Sequence, residues 1–242
     1  MTVAASQPTQ QVAADEMPVT LAEPLREKHW HFVANAFDNV YVVGDVHGCF
    51  DELQTLWQRL NPSDSELVVF VGDLVRKGPA SIETVEFVAE QENAVSVQGN
   101  NEAKIINDRI NSDPFEPITD VLDSFPLVVS WDGAVVLHGG INPQKPVTEH
   151  TSRELVETRA IPPENGYDGP FWFELYDEDP RIFFGHTVLR DPFISESAVG
   201  LDTGCVYGGK LTAYDCANDE LISVPAERTY QSRPDSKFLD FS

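Results

Sequence analysis

Apolar residues along the first half of the chain alternate between two periods. The run Val40-Tyr41-Val42-Val43 reads as a strand. The stretch after it, Asp51–Leu60, sets Leu53, Leu56, Trp57 and Leu60 at i, i+3, i+4 and i+7, one face of a helix. The turn Asn61-Pro62-Ser63-Asp64 leads into Leu67–Val71, apolar throughout and so expected to be buried on both faces. Pro79 and Ser81 open a second helical stripe of Ile82, Val85, Val88 and Ala89. A short third strand, Ala94–Val97, precedes a helix carrying Ala103, Ile106 and Ile110. The order β-α-β-α-β-α is that of an α/β protein with a mostly parallel sheet and right-handed crossovers.

The second half changes rhythm. Residues 112–126 are rich in Pro and Asp around a short helical stripe of Ile118, Val121, Leu122 and Phe125. Strands are expected at Leu127–Trp131, Ala134–Leu137, Arg181–Phe184, Val199–Asp202 and Lys210–Asp215, the first two joined by the hairpin signal Asp132-Gly133. Between them, residues 142–180 form a long irregular insertion holding Tyr167, Phe171, Trp172, Phe173 and Tyr176. Such insertions often carry function, and these rings would either pack a core or stack a base. Residues 1–27 show no apolar period and are expected to form a flexible tail, leaving residues 28–242 as a single domain. The segment His29-Trp30-His31-Phe32 is expected to dock through its aromatic rings and not to bind metal, since no further ligand stands near it.

Composition narrows the class. The 242 residues carry 16 basic and 40 acidic side chains, a formal charge of −24 that repels nucleic-acid backbones, so no duplex nucleic acid is expected as a partner. Adaptation to a saline cytosol and an ordinary acidic enzyme both fit this balance. No run approaches the ~18 apolar residues of a membrane helix, and no leader pattern opens the chain; the expected location is the cytoplasm, away from membranes. Cys49, Cys205 and Cys216 lack paired spacing and read as small packing residues.

The candidate chemistry sits where apolar runs end. Asp45 and His47 follow the first strand, Asp73 the second and Asn100 the third. His138 and His186 follow two strands of the second half. A Gly-flanked Asp alone is common in turns, and a lone buried His is more often a core residue than a ligand. Five such loops in strand-end positions are another matter. Oxygen and imidazole donors suit a divalent first-row metal. Six groups exceed the needs of one ion with an open position, so Asp73 is expected to bridge two ions.

These residues resemble the calcineurin-like metallophosphoesterases. Gly44-Asp45-Val46-His47-Gly48, Gly72-Asp73, Gly99-Asn100, His138-Gly139-Gly140 and Gly185-His186-Thr187 look like the motifs of the phosphoprotein-phosphatase branch. Leu201-Asp202-Thr203-Gly204-Cys205-Val206-Tyr207-Gly208-Gly209 looks like its prokaryotic and phage members, which include diadenosine tetraphosphate hydrolases and serine/threonine phosphatases. Ile222-Ser223-Val224-Pro225-Ala226 also resembles the phosphatase module of bacterial RNA-repair enzymes. The resemblance implies a four-layer α/β/β/α sandwich. It implies one metal on Asp45, His47 and Asp73 and another on Asp73, Asn100, His138 and His186. Mn²⁺ is the first expectation, with iron or zinc as alternatives. The implied reaction is attack of a metal-bridging hydroxide on a phosphorylated small molecule, nucleotide or phosphoprotein.

The chain departs from the family pattern at two loops. Where Asp-Arg-Gly and Asn-His-Glu are usual, it has Arg76-Lys77-Gly78 and Asn100-Asn101-Glu102. The family's proton-donating His is thus Asn101, and asparagine is no general acid near neutral pH. That leans toward phosphoanhydrides, whose leaving groups need less protonation; the alternative is a metal- and phosphate-binding regulatory module with little turnover. The expected catalytic set is Asp73, Arg76, Lys77 and Asn101, with Arg76, Lys77 and Asn100 binding substrate. Arg159 and Arg181 are read as surface ion pairs before phosphate contacts.

Overall fold

The computed structural model describes residues 18–33 and 36–241. Its first half runs β1 (His29–His31), β2 (Asn39–Val43), α1 (Phe50–Leu60), β3 (Glu66–Phe70), α2 (Ser81–Glu90), β4 (Ala94–Ser96), α3 (Asn100–Ile106) and α4 (Thr119–Ser124). Its second half runs β5 (Val128–Trp131), β6 (Ala134–Leu137), α5 (Ser152–Glu157), α6 (Trp172–Leu175) and β7 (Arg181–Phe184). It ends with β8 (Phe193–Ile194), β9 (Ala198–Gly200), β10 (Lys210–Asp215) and β11 (Glu220–Pro225).

Two sheets form, ordered β11-β10-β2-β3-β4 and β1-β5-β6-β7-β9-β8. Strands β2, β3 and β4 are parallel, with Val42 opposite Val69 and Val69 opposite Val95. Period-2 alternation then sorts the side chains into three cores. Tyr41, Val43, Val68 and Phe70 face Leu53, Leu56, Val85, Val88, Ile105 and Leu122 of the helices. Val40, Val42, Val69 and Val71 face Val129, Trp131, Val136 and Phe183 of the other sheet. On the far side of that sheet, Val128, Val135, Leu137, Ile182 and Phe184 meet Leu155, Phe171, Trp172 and Phe173 of the insertion. Helices, sheet, sheet and helix-bearing insertion make the α/β/β/α arrangement that the resemblance implied. No helix among the described residues is long and apolar enough to cross a membrane.

The structure differs from expectation at the margins. Packing begins before residue 28: Leu21 is fully buried in the third core, and Glu23–Lys28 forms a 3-10 turn. The remainder of the expected tail, residues 1–17, lies outside the described residues. The His29–His31 segment docks as a parallel strand beside β5. His29 Nε2 and His31 Nδ1 both hydrogen-bond the Ser130 hydroxyl, at 2.7 and 2.9 Å. Helix α3 stops at Ile106, because Asp108 takes a left-handed φ of 50°, so Ile110 lies beyond it. Strand β11 has no apolar alternation to announce it; register with β10 forms it, from Asp215 opposite Glu220 to Lys210 opposite Pro225.

The insertion also answers the question its aromatics raised. Phe171, Trp172, Phe173 and Tyr176 pack in the core, while Tyr167 lies outside it. Trp172 donates its indole N–H to the Gly139 carbonyl at 3.0 Å, and Gly139 N–H donates to Leu155 O at 2.8 Å. The fourth layer thereby fixes the loop that follows His138. Replacing Trp172 with Ala should lower the unfolding free energy by about 3–5 kcal/mol, from the cavity and the orphaned carbonyl together. Urea unfolding monitored by circular dichroism reads this; a loss below about 1 kcal/mol would be inconsistent with that anchoring role.

Candidate metal centre

Five loops leave the two sheets at one edge, and their backbones hold one another. His47 N–H donates to Asp73 O, Gly48 N–H to Leu74 O and Gly185 N–H to His138 O, at 2.8, 2.8 and 2.9 Å. Of the eight non-glycine residues with positive φ among those described, five belong to these loops: His47, Asp73, Arg76, Lys77 and His186. Each such conformation costs on the order of 1 kcal/mol and persists only where its surroundings demand it. Two glycines leave room for the carboxylates. A Cβ at Gly99 would lie 2.3 Å from Asp73 Oδ1, and one at Gly185 would lie 2.1 Å from Asp45 Oδ1.

The six predicted ligands come together. Asp45, His47 and Asp73 each present a ligand atom within 4.8 Å of the others. Asp73 stands in the middle, with Oδ2 3.5 Å from His47 Nε2 and Oδ1 3.4 Å from His138 Nε2. Asn100 Oδ1 lies 3.2 Å from both His138 Nε2 and His186 Nδ1 and 3.1 Å from Asp73 Oδ2. His47 and His138 give their Nδ1 protons to Val75 O (3.1 Å) and Val71 O (2.7 Å), which leaves each Nε2 bare and pointing inward. The Asn100 oxygen therefore faces the His138 nitrogen and Asp73 Oδ2 with no proton between them, while His186, whose Nε2 accepts from Arg159, turns its Nδ1 proton toward it. Turned over, the amide would donate to all three and accept from Lys104; the oxygen-inward orientation is the one a cation selects.

Electrostatics lead to the same point. Burial, and then the charges of Asp202 and Asp73, hold the Asp45 carboxyl well above its ordinary pKa. Burial works to raise Asp73 too. His138 and His47, then Lys77 and the Asn101 N–H, outweigh it and hold Asp73 below the usual carboxylate range. Burial, then Lys77, lowers His47 to about 3, while burial alone leads for His138 and burial followed by Arg159 for His186. These imidazoles are neutral near pH 7, the form that binds metal. Three buried carboxylates and three neutral imidazoles around one space make a cation-shaped gap. The Lys77 ammonium stands partly in it, 2.6 Å from His47 Nε2, and Arg159 Nη2 stands 2.7 Å from His186 Nε2. The donor set fits divalent metal ions.

Further residues hold the ligands in place. Glu102 is fully buried and accepts the N–H groups of Asp73 (2.9 Å), Val75 (3.2 Å) and Gly99 (2.8 Å), tying two loops to the start of α3. Asn101 donates its backbone N–H to Asp73 Oδ1 at 2.8 Å and its amide to Asp73 Oδ2, while its own oxygen accepts from Arg76 Nη1 at 2.5 Å. Arg159 corrects the sequence reading. It is not a surface ion pair; the insertion folds back across the sheet edge and lays it against His186. Arg181 does sit away from the cluster, on Tyr214 OH at 2.9 Å and Asp219 at 3.5 Å. Glu102, Asp202 and Tyr207 were missed as participants, although Asp202 and Tyr207 stand inside a motif that pointed to the family. Cys49 and Cys205 are buried beside Glu52, whose carboxylate accepts the Glu227 N–H and the Tyr230 hydroxyl at 2.9 Å each.

The comparisons with known proteins agree with this edge. A family model described as calcineurin-like phosphoesterase matches residues 39–217. The asymmetrical bis(5'-nucleosyl)-tetraphosphatase PrpE of Halalkalibacterium halodurans is 29% identical, over 83% of this chain and 98% of its own length. The symmetrical bis(5'-nucleosyl)-tetraphosphatase of Vibrio cholerae is 27% identical, over 71% of this chain and 93% of its own. A crystal structure provisionally described as a diadenosine tetraphosphatase is 28% identical with a TM-score of 0.73, over 82% of this chain and 97% of that one. A serine/threonine phosphatase from Saccharomyces cerevisiae shares the fold at 17% identity and a TM-score of 0.58, over 86% of this chain and 85% of that one. With the family model spanning all five ligand-bearing loops, the chain belongs to the calcineurin-like phosphoesterases.

Proposed function

We propose that this protein hydrolyses phosphoanhydrides of the dinucleoside polyphosphate class with the help of two divalent metal ions. Asp45, His47 and Asp73 would hold one ion, and Asp73, Asn100, His138 and His186 the other. Mn²⁺ is the proposed ion, with iron and zinc as alternatives, since oxygen and imidazole donors are mixed. When bound, such a pair lowers the pKa of a water and clamps the phosphoryl oxygens of an in-line displacement.

The observation that carries the choice of substrate is the state of Asn101. Its amide is committed to Asp73 and its oxygen to Arg76, so it positions a ligand and an arginine and has no proton to give. No other imidazole is free for that task. Of the six histidines, three are turned to the metal centre, His29 and His31 share Ser130, and His150 accepts the Asn142 N–H at 2.7 Å. A serine alkoxide leaving without a general acid forfeits about 10²–10⁴-fold in rate, whereas a nucleotide phosphate departs as a stable anion. Arg76 and Lys77 supply charge to the phosphoryl group, Arg76 as a fork and Lys77 as a point charge. The similarity to two bis(5'-nucleosyl)-tetraphosphatases supports the same class.

Two measurements test this reading. Asp73→Asn should lower bound Mn²⁺ and the turnover of an activated aryl phosphate, by more than the ~10–100-fold that loss of an outer partner costs. A variant with wild-type metal content and turnover would remove the metal centre from the chemistry. Asn101→His should raise turnover of a phosphoserine peptide relative to diadenosine tetraphosphate, by up to about 10²-fold. An equal change on both substrates would sink the leaving-group argument.

A further inference from the structure

In a chain with 40 carboxylates and 16 cations, every cation has partners to choose from. Eight of the sixteen form salt bridges. Of the eight that form none among the described residues, six gather around the metal centre: Arg76, Lys77, Lys104, Arg159, Arg233 and Lys237. Of three of these, Arg159, Arg233 and Lys237, only Arg159 touches a metal-ligand candidate directly. They converge on one phenol ring, with Arg159 Cζ 4.3 Å, Lys237 Nζ 4.6 Å and Arg233 Cζ 5.3 Å from the centroid of Tyr167. Arg233 Nη2 donates to the Tyr167 hydroxyl at 2.5 Å and Nη1 to the Tyr207 hydroxyl at 3.3 Å. Tyr207 in turn carries Lys77 5.3 Å over its ring and lies edge-on to His47 at 6.5 Å. The contacts run from His186 through Arg159, Tyr167, Arg233 and Tyr207 to His47, so they form a rim that passes from one side of the metal centre to the other.

The cations oppose one another across the ring, the charge of Arg233 working against that of Arg159. The arrangement is also firmly built. Arg233 and Lys237 lie in the segment after β11, which is pinned by Tyr230 and Glu227 on Glu52 and by Leu239 N–H on Val188 O at 3.0 Å. Arg159 Nε, buried within the rim, has no hydrogen-bond partner among the described residues. The buried Asp202 and Asp45 act on Arg159 and Asp202 on Arg233 through space, but none forms a salt bridge with them; cations so held, with a donor to spare, are the complement of a polyanion.

We infer that Arg233, Lys237 and Tyr167 form a second phosphate subsite that binds the phosphoryl groups next to the one at the metal centre. The protein thereby selects polyphosphates over phosphomonoesters. The inference rests on the phosphohydrolase reading above. The subsite recognises charge and oxygen and makes no demand on the base.

The test compares Arg233→Ala and Lys237→Ala with the unaltered protein in saturating Mn²⁺. The ratio of kcat/KM for diadenosine tetraphosphate to that for p-nitrophenyl phosphate should fall about tenfold or more in Arg233→Ala and less in Lys237→Ala. The inhibition constant of inorganic tripolyphosphate should rise about tenfold relative to that of orthophosphate, with Arg233→Lys recovering part of the loss. Equal losses for both substrates and both inhibitors would make Arg233 a structural residue and overturn the subsite, as would no change in either ratio. If the unaltered protein cleaves the aryl phosphate but not the tetraphosphate, the anhydride reading fails, and the two inhibition constants still decide the subsite. In protein without turnover, calorimetric binding of tripolyphosphate and orthophosphate reads the same ratio. Loss confined to an acidic phosphopeptide, with tripolyphosphate unaffected, would assign the rim to a protein substrate and overturn the proposal.

Discussion

Buried acceptors without protons are the constraint on which the metal edge depends. Asp45, Asp73 and Asp202 are withdrawn from water within a few side chains of one another, and the Asn100 oxygen and the bare nitrogens of His47 and His138 point the same way. In a low-dielectric interior such a set is costly unless a cation completes it. The five left-handed residues of the loops, the glycines that admit carboxylate oxygens, and the buried Glu102 all serve to hold that set together. Lys77 and Arg159 answer the same demand from outside, each against an imidazole nitrogen. A divalent ion bound there would compete with the Lys77 ammonium for the His47 lone pair.

The fold makes this arrangement economical. Parallel strands deliver their carboxyl ends side by side, so β2, β3 and β4 place three ligand loops along one edge without long connections. The parallel pair β6 and β7 does the same for His138 and His186. The start of α3 then does three things at once: Asn100 faces the centre, Asn101 orients Asp73 and Glu102 gathers backbone N–H groups. With Asn101 committed to Asp73 and Arg76, positioning has taken the place where an acid would stand. On the proposed reading, that exchange ties the choice of leaving group to the positioning of Asp73.

Much of this was legible in the sequence, for a reason that also explains what was not. Each ligand loop begins where an apolar run stops, so period and glycine together marked Asp45, His47, Asp73, Asn100, His138 and His186. Helices α1 and α2 carried their own stripes. Arg159, Tyr167 and Arg233 had no such marker, because they lie in irregular segments and meet only through contacts 66 or 27 residues apart in sequence. The aromatics of the insertion looked alike on paper; burial alone separates Trp172, with its indole on Gly139, from Tyr167 at the rim. Leu21 and β1 were hidden for the opposite reason, as single apolar residues and a three-residue strand are too short to show a period.

Charge distribution joins the two scales. At −24 the surface as a whole discourages polyanions, and at ~0.1 M salt exposed charges act over a Debye length of about 10 Å. Around the metal centre the balance shifts toward cations, since six that form no salt bridge collect there. An acidic exterior therefore does not oppose the proposed phosphate-handling site; it would sharpen one, because a polyanion would be repelled by the rest of the surface and meet cations at this edge. These cations feel the buried Asp45, Asp73 and Asp202 through space and form no salt bridge with the exposed carboxylates among the described residues. A salt bridge would neutralise the one feature that distinguishes this edge from the rest of the surface.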